Sequence, residues 1–94
     1  MTMIKFGTIG GGVMGEALLS RLIAQKVYLP SEILVSEPQL QRRQFLTEKY
    51  GIGTTASNLE VAAATEVLFL AIKPQVFEMV ALELAVGADR QQGN

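Results

Sequence analysis

The chain has no cysteine, no histidine and no tryptophan in its 94 residues. Without thiols it forms no disulfide. Without thiols or imidazoles it lacks the usual zinc ligands, the thiolate nucleophile and the imidazole base. Neither sign of charge dominates: 8 Lys and Arg stand against 9 Asp and Glu, a net charge of −1. There is thus no basic footprint for nucleic acid. No apolar run reaches the roughly 18 to 20 residues of a membrane span. Met1-Thr2-Met3-Ile4-Lys5-Phe6 enters a strand pattern at once, without the basic region, apolar stretch and cleavage site of a signal peptide. The expected location is cytoplasmic, with no membrane or nucleic-acid partner.

What is present points to one small, well-packed domain. Hydrophobic residues make up 49% of the chain. That is more than a small domain needs if all its faces meet water, so either the strands are buried on both faces or one surface meets a partner. The three prolines and the glycines punctuate an alternating pattern. Ile4 to Ile9 reads as a strand, broken by Gly10-Gly11-Gly12. From Val13 to about Lys26 the period becomes helical, with Met14, Ala17, Leu18, Arg21 and Leu22 on one stripe and Glu16, Ser20 and Gln25 away from it. Ile33-Leu34-Val35 is a second strand, stopped by Ser36-Glu37-Pro38. A polar helix from Gln39 to Tyr50 follows, with Leu40, Phe45 and Leu46 as its inward contacts and Gly51 at its C-terminal end.

Ile52 to Thr55 is a weak third strand. Ser57 or Asn58 caps a short helix through Ala64. Val67 to Ile72 is apolar throughout, as expected of a central parallel strand buried on both faces. Lys73-Pro74 ends it, and Pro74 suits the first turn of a helix reaching about Ala85. The domain is thus expected over residues 1–86, with a polar, frayed tail over 87–94. Strand and helix alternate four times, which argues for an α/β fold with a doubly wound parallel sheet.

Gly10-Gly11-Gly12-Val13-Met14-Gly15 fits G-x-G-x-x-G, a pattern that is weak by itself. Here a strand precedes it and a helix follows, the context of a Rossmann-type dinucleotide fingerprint. Gly10 permits the turn, Gly12 lets backbone approach a pyrophosphate, and Gly15 lets the helix pack against the strand. The helix start offers free N–H groups to phosphate. The competing reading is a glycine-rich turn with no ligand. Glu37 stands at the end of the second strand, where a carboxylate takes the ribose hydroxyls of NAD and repels a 2′-phosphate. Ser36 is adjacent, and Arg42-Arg43 follow, whose guanidinium groups suit a 2′-phosphate as well as they suit a solvated helix face. Residue types therefore leave NAD(H) and NADP(H) both open. Ala71-Ile72-Lys73-Pro74 and Asn58 fall after strands, on the ligand side of an open sheet. As alternatives, Lys73 is an ordinary surface lysine and Asn58 a helix cap.

Four stretches resemble the Δ1-pyrroline-5-carboxylate reductase family in order and spacing. They are Phe6-Gly7-Thr8-Ile9-Gly10-Gly11-Gly12-Val13-Met14-Gly15-Glu16-Ala17, Ile33-Leu34-Val35-Ser36-Glu37-Pro38, Glu48-Lys49-Tyr50-Gly51-Ile52 and Val67-Leu68-Phe69-Leu70-Ala71-Ile72-Lys73-Pro74-Gln75-Val76. The Lys-Pro-Gln is the most specific of these features. The resemblance implies reduction of pyrroline-5-carboxylate to proline, in proline biosynthesis, by hydride from NADPH or NADH. It places Ile9 to Met14 on the pyrophosphate, Glu37 at the adenosine ribose, Asn58 at a second cofactor contact and Ala71 to Pro74 beside the nicotinamide ribose. No residue here is expected to be a catalytic acid.

Val13 departs from the Asn or Gln that the family often carries, and Glu37 argues against strict NADPH preference. Family members continue into a helical domain that makes the homo-oligomer and the substrate pocket. On the resemblance the chain is therefore expected to be a fragment, inactive alone. The rival readings are a dinucleotide-binding module without chemistry and a fragment of a β-hydroxyacid or prephenate-type dehydrogenase.

Overall fold

The computed structural model describes residues 3–64 and 66–92, the last five by backbone alone. Four strands, β1 (Phe6–Ile9), β2 (Ile33–Ser36), β3 (Gly53–Thr55) and β4 (Val67–Leu70), alternate with four helices. The helices are α1 (Val13–Ala24), α2 (Leu40–Tyr50), α3 (Asn58–Ala62) and α4 (Pro74–Gln92). A single 3-10 turn, Pro30–Glu32, leads into β2. The sheet is wholly parallel, in the order β3-β2-β1-β4, with Phe6 opposite Ile33 on one side and Val67 on the other. This is the expected doubly wound α/β arrangement.

Side-chain alternation along the strands explains why helices cover both faces. Phe6, Ile33, Val35 and Phe69 point to one face, where they pack with Leu19 of α1 and Leu46 of α2. Ile9, Leu34 and Leu70 point to the other, where Val61 of α3 and Val80 and Leu84 of α4 meet them. Each layer buries a small apolar cluster, and together they hold β1 in the centre with all four of its residues buried.

Four expectations need correction. The apolar run at Val67 is not a central strand: β4 lies at the sheet edge, with Val67 and Leu68 exposed. The run reflects the burial its faces call for, whereas its place depends on which strands lie beside it. The inward stripe of α1 is rotated from the expected one. Gly15 and Leu19 are buried, and the expected Leu18 and Leu22 pack half-buried against the same core, while the expected Met14, Ala17 and Arg21 are exposed. In α2 only Leu46 is buried. Leu40 and Phe45 face outward, Phe45 lying under the cations of Arg42 and Lys49. Finally, α4 does not stop near Ala85 but runs to Gln92, through the segment expected to be a frayed tail. Gly87, which reads as a break, is buried against Leu59 of α3 within this helix.

Among the described residues no helix is long and apolar enough to cross a membrane.

Candidate functional site

The carboxyl ends of the strands meet along one edge of the sheet. The ladder continues one step past each strand: Gly10 donates its N–H to the Ser36 carbonyl, Glu37 to that of Thr55 and Ala71 to that of Ile9. These bonds bring the glycine loop, Ser36-Glu37 and Ala71 to a common rim. The strands stay parallel, but the order in which the chain lays them down switches sides at β1, from β2 and β3 on one side to β4 on the other. The loops after β1 and β4 therefore flank a crevice of the kind that receives ligands in open α/β sheets.

The glycines of the loop divide by task. Gly10 has φ +103°, and a Cβ there would stand 2.3 Å from the Ala71 carbonyl oxygen. At Gly15 a Cβ would stand 2.6 Å from the Gly10 carbonyl oxygen. Both are demanded by the fold. At Gly12 a Cβ would meet nothing within 4 Å, and the backbone is ordinary (φ −79°). Space is therefore kept free at the N-cap of α1, where helix geometry leaves the amides of Val13, Met14 and Gly15 without acceptors in the helix. Val13 and Met14 are strongly exposed, so this helix start faces outward. Free space, unpaired amides and the positive end of a helix fit a phosphate group.

Glu37 closes the inner side of the loop. It is buried, and its Oε1 accepts the Gly11 N–H at 3.1 Å while its Oε2 accepts the Gln39 N–H at 3.0 Å. Arg42 approaches the loop from α2: its Nε donates to the Gly11 carbonyl at 2.6 Å and its Nη2 to Glu16 Oε1 at 2.6 Å. Arg43 turns the other way. Its Nη1 donates to the carbonyls of Glu37 and Pro38, at the end of β2. Ser36 donates its hydroxyl to Asn58 Oδ1 at 2.7 Å, and Asn58 Nδ2 donates to Glu83 of α4. The cap of α3 is Ser57, which accepts the Glu60 N–H, leaving the Asn58 side chain on the rim rather than on the helix end. Ala71 and Ile72 are half-buried against Gly10, and Lys73 is exposed at the start of α4.

The structure thus gathers Gly10 to Gly15, Ser36, Glu37, Arg42, Arg43, Asn58 and Ala71 to Pro74 along one rim. A separate shallow groove of about 220 Å³, between α2 and β3, is lined by Leu40, Arg43, Gln44, Thr47, Glu48 and Thr54 and shares only Arg43 with them.

Glu16 was not singled out by the sequence. It sits in the first turn of α1, accepts the Tyr50 hydroxyl at 2.5 Å, and pairs with Arg42 at 2.6 Å and Lys49 at 3.1 Å. The Tyr50 hydrogen bond holds its carboxyl down at about 2, against the effect of burial, with help from Arg42 and Lys49. An acid in the first turn of a helix whose start suits phosphate is a feature the sequence displays. It would repel an anion there unless a cation neutralised it, and Arg42 pairs with it.

The chain matches the model of a family described as NADP oxidoreductase, coenzyme F420-dependent, over residues 5–93. It is 52% identical over 87 residues to a pyrroline-5-carboxylate reductase of Synechocystis, covering 93% of this chain and 33% of that protein. To the pyrroline-5-carboxylate reductase of Escherichia coli it is 38% identical over 80 residues, covering 85% and 30%. A solved pyrroline-5-carboxylate reductase from Coxiella burnetii has the same fold, with a TM-score of 0.79 and 36% identity over 88% of this chain and 30% of that one. The chain spans about a third of the length of these relatives.

Proposed function

The chain belongs to the family of NADP oxidoreductases described as coenzyme F420-dependent, and on that premise we propose that it is the dinucleotide-binding region of a pyrroline-5-carboxylate reductase. The observation that carries the reading is the loop at the start of α1, where Gly10 and Gly15 serve the fold and Gly12 has no neighbour that explains it. Its free space is best accounted for by a pyrophosphate lying over the helix amides. The relatives' names supply the substrate class, a cyclic imine reduced at its C=N bond.

In this reading the backbone from Ile9 to Gly15 cradles the pyrophosphate. Ser36 and Glu37 face the adenosine ribose, Arg43 flanks the 2′ position, and Asn58 and Ala71-Ile72-Lys73-Pro74 line the path towards the nicotinamide. A bound nicotinamide supplies the hydride; the residues of this chain bind and orient it. Glu37 and Arg43 oppose each other in sign, so both NADH and NADPH are taken, with a modest preference between them. The complete enzyme is a cytoplasmic homo-oligomer of proline biosynthesis whose remaining chain forms the imine pocket.

The test is to titrate the 94-residue chain with NADH and NADPH, then to assay it with the imino acid. Binding without turnover is expected. Holding hydride donor and imine carbon in reactive geometry contributes up to about 7 to 11 kcal/mol, and in this reading that geometry needs the imine pocket formed by the rest of the enzyme. Turnover in the ordinary enzyme range of roughly 1 to 1000 per second would refute the assignment of the imine pocket to other chain. Absence of dinucleotide binding would refute the function itself.

A further inference from the structure

We propose that Arg42 and Glu37 form a clamp on the Gly11 peptide that holds the glycine loop in its binding shape, and that Arg42 is a positioning residue rather than a contact for the cofactor's 2′-phosphate. The proposal rests on the reading of this loop as a dinucleotide site. Both polar groups of that peptide segment are held by side chains: the Gly11 N–H by Glu37 Oε1 at 3.1 Å and the Gly11 carbonyl by Arg42 Nε at 2.6 Å. The restraint is needed here because three consecutive glycines lose more backbone freedom on ordering than any other run. Gly12 also has no side-chain or backbone neighbour in the space above it.

The guanidinium is itself fixed. Its Nη2 is on Glu16, whose other carboxylate oxygen is taken by Tyr50 and Lys49, and its Cζ lies over the Phe45 ring, 4.9 Å from the ring centre. Glu16 belongs to the first turn of α1, Arg42 and Phe45 to α2, and Glu37 to the end of β2. The clamp therefore ties the loop to three elements at once. A guanidinium that grips phosphate presents a two-nitrogen edge to the ligand, but the Nε–Nη2 edge of Arg42 is taken by Gly11 and Glu16. Neighbouring Arg43 is bonded only to backbone carbonyls at the end of β2, beside the expected ribose.

Three variants of the 94-residue chain separate the roles: Arg42→Met, Arg42→Lys and Glu16→Gln. Dissociation constants for NADH and NADPH are measured by fluorescence titration, and amide exchange of the ligand-free chain by NMR. A clamp predicts that Arg42→Met weakens NADH and NADPH by the same factor, about tenfold, leaving their ratio unchanged. The Gly11 amide should exchange about tenfold faster while the β1 amides keep their protection. Arg42→Lys, which keeps the charge but loses the fork, should behave like Met. Should Arg42→Met not fold, Glu16→Gln removes the anchor of the guanidinium and is expected to show the same equal loss in smaller measure. A loss confined to NADPH would overturn the proposal by making Arg42 a 2′-phosphate contact. Unchanged affinity for both cofactors would overturn it equally. If the unaltered chain binds neither dinucleotide, the functional reading fails by itself. The clamp then stands or falls on whether Gly11 exchange responds to Arg42.

Discussion

In the variant Gly12→Val a side chain is placed where the protein has left room. No protein atom lies within 4 Å of the added Cβ, and φ at −79° is acceptable to any residue. The cost to the fold is limited to a weaker N-cap, below about 1 kcal/mol. The cost to binding is much larger. Amide hydrogen bonds to a charged group contribute about 1.5 to 3 kcal/mol each. Displacing a pyrophosphate from two loop amides therefore removes about 3 kcal/mol or more, a weakening of at least roughly a hundredfold. Gly10→Ala is the contrasting variant, since its Cβ would stand 2.3 Å from the Ala71 carbonyl oxygen at a φ of +103°; it should lose the fold as well as the ligand. The assay pairs a urea denaturation curve with an NADH titration for each protein. A folded Gly12→Val chain with unchanged affinity would refute the reasoning, because the free space over the loop would then not be the phosphate site.

Further outcomes follow from individual contacts. Thr8→Val should stabilise the chain by about 1 kcal/mol, because Thr8 is fully buried and its hydroxyl has no partner among the described residues. A lower urea midpoint would contradict this. Glu16→Gln should destabilise by about 1 to 2 kcal/mol at neutral pH. Because the folded carboxyl is held at about 2 rather than 4.5, its contribution is complete above about 4.5 and is lost as pH falls towards 2. The gap between the two urea curves should close over that window, and a pH-independent gap would rule the linkage out. Glu37→Gln keeps an acceptor for the Gly11 amide but removes the charge. NADPH should gain on NADH by about fivefold, the effect of removing about 1 kcal/mol of repulsion at close range; an unchanged ratio of dissociation constants would mean that Glu37 does not face the ribose.

What could be read in advance followed from local chemistry. Gly10-Gly11-Gly12 between an apolar run and a helical period announces a strand, a turn and a helix start. Gly51 at the end of α2 (φ +74°) and Pro74 at the start of α4 are where their backbone preferences place them. The rim residues could be named because strand ends in a parallel sheet share one edge. What escaped depends on contacts between distant residues. Arg42 and Glu16 are far apart in sequence, so nothing in either segment announces their pairing. In α1 the sequence placed Leu18 and Leu22 inward but missed Leu19, the residue of that helix most deeply set in the core. Likewise the Val67 to Leu70 run reports its apolar faces and not its neighbours, so its position at the edge had to be seen.

The pairing of β1 also sets a timetable for synthesis. Phe6 lies opposite Ile33 on one side and Val67 on the other, so β1 is translated before the two strands that flank it. At about 5 to 20 residues per second, roughly 3 to 12 seconds separate the emergence of β1 from that of β4. Over that interval one side of β1 has no partner strand, and its apolar residues are open to other nascent chains. Non-local parallel pairing of this kind is slow to form even in a complete chain. The segment that leads into the glycine loop therefore leaves the ribosome ahead of both its neighbouring strands and waits for β4 before it is flanked on both sides.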